Sequence, residues 1–140
     1  MQTKAETAFY LPKWWFILPA YLTLWTISFS LYNFIDGNGM MSAFGIDTGG
    51  ASDFIILNSA GRYIALAIAM VVGIWIFRTY SAILTVLLAR LGMDILDLVA
   101  GLQTGIIVDT TGVFQSFLMF LLPNIISIWF LMKYKNKASQ

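Results

Sequence analysis

The sequence predicts an all-α fold: a polytopic membrane protein with a four-transmembrane-helix bundle and both termini cytoplasmic. Of its 140 residues, 59% are hydrophobic and 11% are charged, whereas soluble domains carry about 25% charged residues. So few polar side chains would not cover the surface of a soluble fold of this length. Four continuous apolar stretches, each near the ~20 residues that cross a bilayer as a helix, predict one membrane domain over residues 1–140.

The predicted spans are bounded by the ends of these apolar stretches. They cover residues 14–34, 55–77, 80–100 and 113–132. Helices are expected because lipid offers no partner for unpaired backbone groups, and the stretches lack the period of two that marks barrel strands. The run Asp36-Gly37-Asn38-Gly39 predicts a loop after the first span. The connection at residues 78–80 is so short that the second and third spans form an antiparallel hairpin.

Cations occur at one end only of this four-span arrangement. That end contains both termini and the second connection, and it holds Lys4, Lys13, Arg78, Lys133, Lys135 and Lys137. The first and third connections contain four aspartates and no Lys or Arg. By the positive-inside rule both termini lie in the cytoplasm. We therefore expect a multi-pass protein of a cell inner membrane or an endomembrane, with the lipid bilayer as its first partner.

The residue inventory excludes several classes of function. The net charge is +1, so no cation excess is present for nucleic-acid binding. The sequence contains no Cys and no His, which removes thiolate and imidazole metal ligands, a cysteine nucleophile and a Ser-His-Asp triad. We expect no metal site and no cofactor. Ionisable chemistry is left to Asp, Arg, Lys, Tyr and the single glutamate, Glu6.

Four charged residues lie inside the predicted spans: Arg62, Arg90, Asp94 and Asp97. Each costs about 2.5–3.5 kcal/mol near a helix centre and therefore needs compensation. The spacing i, i+4, i+7 places Arg90, Asp94 and Asp97 on one face of the third helix. Arg62, on the antiparallel second helix, falls at the depth of the two aspartates. We expect the two arginines and two aspartates to neutralise one another in the outer half of the bundle.

Further polar residues map to a similar depth. Tyr32 and Asn33 end the first span, Asn58 opens the second, Gln103 follows the third, and Gln115 and Ser116 open the fourth. With the four charges they predict an outward-facing polar vestibule, with Arg90 at its deep end and the apolar inner half as its floor. The predicted binding residues are Arg62, Arg90, Asp94, Asp97, Asn58 and Gln115. The candidate catalytic residues are Asp94 and Asp97. An ion-pair cluster that only fixes helix register explains the same pattern.

A ladder of small residues runs along the second span at Gly61, Ala65, Ala69 and Gly73. Such spacing lets two helix backbones approach closely. An internal packing seam is favoured over a dimer interface.

Residues 61–67 (GRYIALA) and 88–98 (LARLGMDILDL) resemble a group of small four-helix membrane proteins of unknown function that look distantly DoxX-like. That family's second span tends to open with a Gly-Ala-Arg-type motif, and its third carries an Arg followed by one or two Asp. Residues 43–46 (AFGI) resemble the family's Phe-Gly element before the second helix. The resemblance covers about residues 18–99 and implies a four-helix bundle with Arg62, Arg90, Asp94 and Asp97 at the motif positions. It implies no reaction.

Three classes of function stay open from the sequence. The first is a binding or accessory role, in which the Arg/Asp cluster holds a lipophilic small molecule or an anionic ligand, a partner membrane subunit, or a second copy in a homo-oligomer. The second is a membrane-embedded isomerase or cyclase that uses Asp94 or Asp97 as a general acid or base on a lipophilic substrate. The third is a small ion- or proton-coupled transporter, which would require dimerisation because four spans contain no inverted repeat.

Overall fold

The computed structural model describes residues 11–43, 53–103 and 110–138, and every regular element in these ranges is a helix. Helix α1 begins with a 3₁₀ turn, Lys13–Phe16, and continues as Ile17–Ala43. Helix α2 is Asp53–Met70 continued by a π-helical segment, Val71–Phe77. Helix α3 is Tyr80–Gln103, and helix α4 consists of Thr110–Ser116, a π-helical segment Phe117–Leu121, and Leu122–Ala138. The predicted all-α class is confirmed.

Three of the four helices are long and apolar enough to cross a membrane. These segments are Lys13–Gly39, Leu57–Phe77 and Val113–Lys135. Helix α3 has 24 residues but contains three charged side chains, Arg90, Asp94 and Asp97. Its composition alone therefore does not identify it as a membrane span. Lys4, Glu6, Asp47, Asp109 and the 44–46 element lie outside the described residues.

The predicted loop at residues 36–39 is wrong, because α1 continues as a helix through this run to Ala43. The helix is interrupted only at Asp36, whose φ of −148° and ψ of 69° are not helical. The Oδ1 atom of Asp36 accepts the backbone N–H of Gly39 at 2.9 Å. A carboxylate in this position caps the N-terminus of a helix, so Asp36 both breaks α1 and restarts it.

The helices form an up-and-down antiparallel bundle in which α1 packs on α2 and α4, and α3 packs on α2 and α4. We call the end marked by Lys13, Arg78 and Lys133 the inner end, and the end marked by Asp36 and Leu57 the outer end. The apolar core lies in the inner half. Its buried side chains are Leu11, Trp15, Leu22, Leu66, Met70, Ile74, Ile83, Leu87 and Leu131.

The α2–α3 hairpin is closed by a two-residue turn at the inner end. Arg78 adopts the left-handed conformation with φ 53°, and its N–H donates to the carbonyl of Gly73 at 3.2 Å. Thr79 caps α3, because its Oγ1 accepts the N–H of Ala82 at 3.2 Å. Gly73 is buried against α3, so the inner part of the small-residue ladder is an internal packing seam.

Replacing Gly73 by alanine is expected to destabilise the fold by about 1–3 kcal/mol through overpacking. An added Cβ would lie 2.9 Å from Cγ1 of Val86 and 3.2 Å from the carbonyl oxygen of Ala82, and neither atom belongs to a flexible side-chain end. Gly61 is the matched control, since a Cβ there meets nothing within 4 Å and alanine favours a helix by about 1 kcal/mol. Unfolding free energies in detergent compare the two variants. Equal values would contradict the seam.

Candidate functional site

The centre of the bundle contains a buried ion pair between Arg90 and Asp94. The guanidinium binds the carboxylate through two contacts, Nε to Oδ2 at 3.0 Å and Nη2 to Oδ1 at 2.9 Å. The side chains are only 3% and 6% exposed. The pairing follows from the i, i+4 spacing on α3, and two parallel N–H···O bonds fix the plane of the guanidinium.

The remaining nitrogen of Arg90 extends the ion pair to α1. Nη1 donates to Oγ1 of Thr26, and that hydroxyl donates to the carbonyl of Leu22 at 2.7 Å. On the α4 side, the guanidinium carbon lies 6.0 Å from the ring centre of Phe120. Arg90 therefore contacts α1 and α4 as well as its partner Asp94 on α3.

Asn124 of α4 completes the centre. It is fully buried, and its amide lies close enough to the Asp94 carboxylate to interact with it, although neither amide atom has the distance and angle of a hydrogen bond with a described residue. Asn124 and Thr26 are the midpoints of the segments Val113–Lys135 and Lys13–Gly39. The ion pair thus lies halfway along the bundle. An unpartnered buried amide at this depth costs free energy unless water reaches it.

A row of buried polar side chains lines α1 from one turn inward of this centre to the outer end. This α1 polar face consists of Thr23, Thr26, Ser30 and Asn33. Each donates to the carbonyl four residues earlier, at 2.7, 2.7, 2.5 and 3.0 Å respectively. Of this face only Asn33 was predicted, because hydroxyls in an apolar run were counted as part of the span. The i, i+3, i+7, i+10 spacing of the four residues is the signal that would have identified them.

Asp97 does not join the central pair. Its Oδ2 atom accepts a hydrogen bond from the hydroxyl of Tyr63 on α2. Tyr63 in turn packs edge-on against Phe29, with ring centres 4.8 Å apart. Tyr63 was not predicted as a site residue. Asp97, which was predicted to lie beside Arg62, is instead hydrogen-bonded by the Tyr63 hydroxyl.

Arg62 is exposed, and it forms no ion pair with any described residue. The predicted neutralisation of Arg62 by the aspartates is therefore wrong: only Arg90 and Asp94 pair. Arg62 lines an open groove of about 400 Å³ between α2 and α3. The other lining residues are Ala65, Met93, Leu96 and Asp97. This groove, which we call the α2–α3 groove, combines an apolar wall with one cation and one carboxylate.

Asn58 and Gln115 are both exposed and lie outside the buried cluster. The Gln115 amide reaches only Sδ of Met119 on its own helix, at 3.7 Å. The six predicted binding residues thus divide into a closed central pair, two residues of the groove and two separate surface positions. Among residues 11–43, 53–103 and 110–138, no three acidic side chains converge as metal ligands.

No protein-family model, curated protein or solved structure matches this chain. The DoxX-like resemblance stays a prediction, and the function rests on the geometry of the site.

Proposed function

We propose that all four helices cross a membrane, with both termini on the cytoplasmic side. The charges of α3 fit this arrangement because Arg90 and Asp94 neutralise each other inside the bundle and Asp97 is hydrogen-bonded by Tyr63. Large apolar side chains are exposed on all four helices, among them Leu24, Ile68, Leu96 and Trp129. In a bilayer these side chains would contact lipid, which avoids the free-energy cost of exposing apolar surface to water.

Cations and aromatic rings at the inner end support the orientation. The ammonium of Lys135 lies 4.1 Å from the ring centre of Tyr80, and that of Lys133 lies 5.0 Å from the Trp129 ring. Aromatic belts with flanking Lys and Arg mark membrane interfaces, and the cationic side is cytoplasmic.

Within this frame, we propose that the chain binds an amphipathic lipid in the α2–α3 groove. The observation that carries the proposal is Arg62, which lines an apolar groove and forms no ion pair with a described residue. It lies five residues from Leu57, roughly 8 Å along the helix from the outer end of the apolar segment. An intramembrane charge of this kind indicates a functional partner, and arginine prefers a phosphate or carboxylate.

Asp97 on the same groove restricts the ligand further. A purely anionic headgroup would be repelled by this carboxylate, whereas a headgroup that also carries a hydroxyl or ammonium donor would bind both side chains. The hydrocarbon part of the lipid would lie along Ala65, Met93 and Leu96, which form the apolar wall. A partner subunit or a second copy of the chain is the alternative occupant.

Native mass spectrometry of the gently extracted protein tests this proposal. Wild type is expected to retain a lipid, and Arg62→Gln is expected to bind that lipid at least about ten-fold more weakly. The reason is that a hydrogen bond to a charged group contributes about 1.5–3 kcal/mol, and about 1.4 kcal/mol is a factor of ten in affinity. Lys133→Gln, which removes an exposed inner-end cation, is the matched control.

Equal lipid retention in wild type and Arg62→Gln would contradict the proposal. A co-purifying protein, or a dimer that Arg62→Gln dissociates, would assign the groove to a partner subunit or a second copy.

The hydrogen bond between Tyr63 and Asp97 favours one second candidate, a membrane-embedded isomerase or cyclase acting in the same groove. Asp97, which lines the groove, would accept a proton from one carbon of a lipophilic substrate and return it to another, while the Tyr63 hydroxyl that donates to this carboxylate would hold it in position. Asp94 is unsuitable for this role because Arg90 occupies both of its oxygens. A bound lipid that wild type converts chemically, and that folded Tyr63→Phe and Asp97→Asn variants leave unchanged, would establish the enzyme.

A further inference from the structure

We propose that water and small hydrophilic solutes reach the Arg90–Asp94 pair from the outer end only, along the α1 polar face. The route is separate from the α2–α3 groove and does not depend on lipid binding there. It requires only that the bundle lies in a membrane.

The course of the route follows from the register of α1. Thr26, Ser30 and Asn33 lie on one buried face and cover roughly 10 Å along the helix axis. Thr26 is hydrogen-bonded to Arg90. At the other end, Asn33 lines a surface depression of about 240 Å³, together with Asp36, Gly37 and Asn38. Polar side chains therefore continue from the surface of the outer end to the ion pair.

Unpartnered polar atoms mark both ends of this route. The Oδ1 atom of Asn33 and both amide atoms of Asn124 are buried and complete no hydrogen bond with the described residues. Asn33 lies next to the depression, and Asn124 lies beside Asp94. Lipid cannot satisfy such groups, whereas bound water does so with two to four hydrogen bonds. Water at these two positions would supply the hydrogen bonds that the amides of Asn33 and Asn124 lack.

The inner half closes the route. Leu22, Met70 and Leu87 are fully buried directly inward of the ion pair and belong to the apolar core. The buried polar groups on that side are already hydrogen-bonded. The hydroxyls of Thr23 and Ser127 donate to the carbonyls of Pro19 and Pro123, each at 2.7 Å, and the indole N–H of Trp15 donates to the carbonyl of Ser127 at 3.1 Å. Among the described residues, the unpartnered buried polar atoms therefore lie at the depth of the ion pair or outward of it.

The absence of native cysteine allows a direct test with three Ser→Cys variants. Ser30→Cys places a thiol on the proposed route. Ser28→Cys, two residues away, places it on the exposed face of α1. Ser127→Cys places it at an equally buried position inward of Asn124. Each variant is treated in sealed vesicles with a membrane-impermeant trimethylammonium methanethiosulfonate, applied first to one face of the membrane and then to the other.

Ser30→Cys is expected to react at least about ten-fold faster than either control when the reagent is on the outer-end face, because only a hydrated thiol forms the reactive thiolate. From the inner-end face, none of the three is expected to react. Asn33→Cys is a second route variant with the same expectation if Ser30→Cys does not fold, and the thermal midpoint of each variant reports folding.

Two results would overturn the proposal. If the route cysteines react no faster than Ser28→Cys and Ser127→Cys, the polar interior is dry. If they react equally from both faces, the bundle contains a continuous pore instead of a one-sided route.

Discussion

Replacing Asp94 by asparagine is expected to destabilise the bundle by about 3–5 kcal/mol, because it leaves the Arg90 guanidinium buried without its counter-charge. The carboxylate accepts two hydrogen bonds from Arg90, and asparagine can replace neither its charge nor its bidentate geometry. No other described protein group compensates the charge of Arg90, because its third nitrogen already donates to Thr26 and no described residue supplies another carboxylate.

Reversible unfolding in mixed detergent micelles measures this loss, and Asp36→Asn is the matched control because Asp36 is exposed and asparagine also caps a helix.

A double variant, Arg90→Met with Asp94→Leu, is expected to recover most of the stability, since replacing a buried pair by apolar side chains is often neutral or stabilising. If Asp94→Asn unfolds like wild type, the pair is not a stabilising element of the folded state. A stable double variant would show that the charges are retained for a reason other than stability.

Replacing Trp15 by alanine is expected to cost about 3 kcal/mol, the lower end of the range for deleting a buried tryptophan. Trp15 is 2% exposed in the apolar core, and its indole N–H donates to the carbonyl of Ser127. The lower end applies because the unfolded chain in a detergent micelle also keeps its apolar side chains away from water. The loss therefore comes mainly from packing contacts and from the unpaired carbonyl.

Trp14→Ala provides the comparison, because the adjacent Trp14 is 48% exposed. Its ring contacts are peripheral, with ring centres 4.9 Å from Phe130 and 6.2 Å from Tyr134. Its removal is expected to cost under about 1 kcal/mol. The same unfolding measurement compares both variants. Similar losses for the two tryptophans would mean that α1 does not anchor on α4 through Trp15.

The helices and the central ion pair could be predicted from the sequence because both depend on spacing within one segment. Four apolar runs give four helices, and i, i+4 places Arg90 beside Asp94 whatever the rest of the chain does. The run at residues 36–39 was misassigned because its composition is typical of a turn. A single side-chain cap at Asp36 is enough to restart the helix there.

The partner of Asp97 could not be predicted, because it depends on how α2 is rotated about its own axis. Depth along the membrane places Arg62 and Tyr63 equally well opposite Asp97. Successive residues of an α-helix point about 100° apart, so the choice between them is set by packing against α1, where Tyr63 meets Phe29. No pattern within α2 encodes that rotation.

The short turn at Arg78 and Thr79 has a mechanical consequence for the α2–α3 groove. The turn and the contact of Gly73 with α3 form a pivot at one end of the hairpin. Arg62 lies eleven residues beyond Gly73, roughly 16 Å along the axis. When the angle between the two helices changes, the resulting displacement is therefore smallest at the pivot and largest at the groove. A tilt of about 5° moves Arg62 by more than about 1 Å over that lever arm. The width of the groove is the most adjustable dimension of the hairpin, and the Tyr63–Asp97 hydrogen bond is placed where it restrains that dimension.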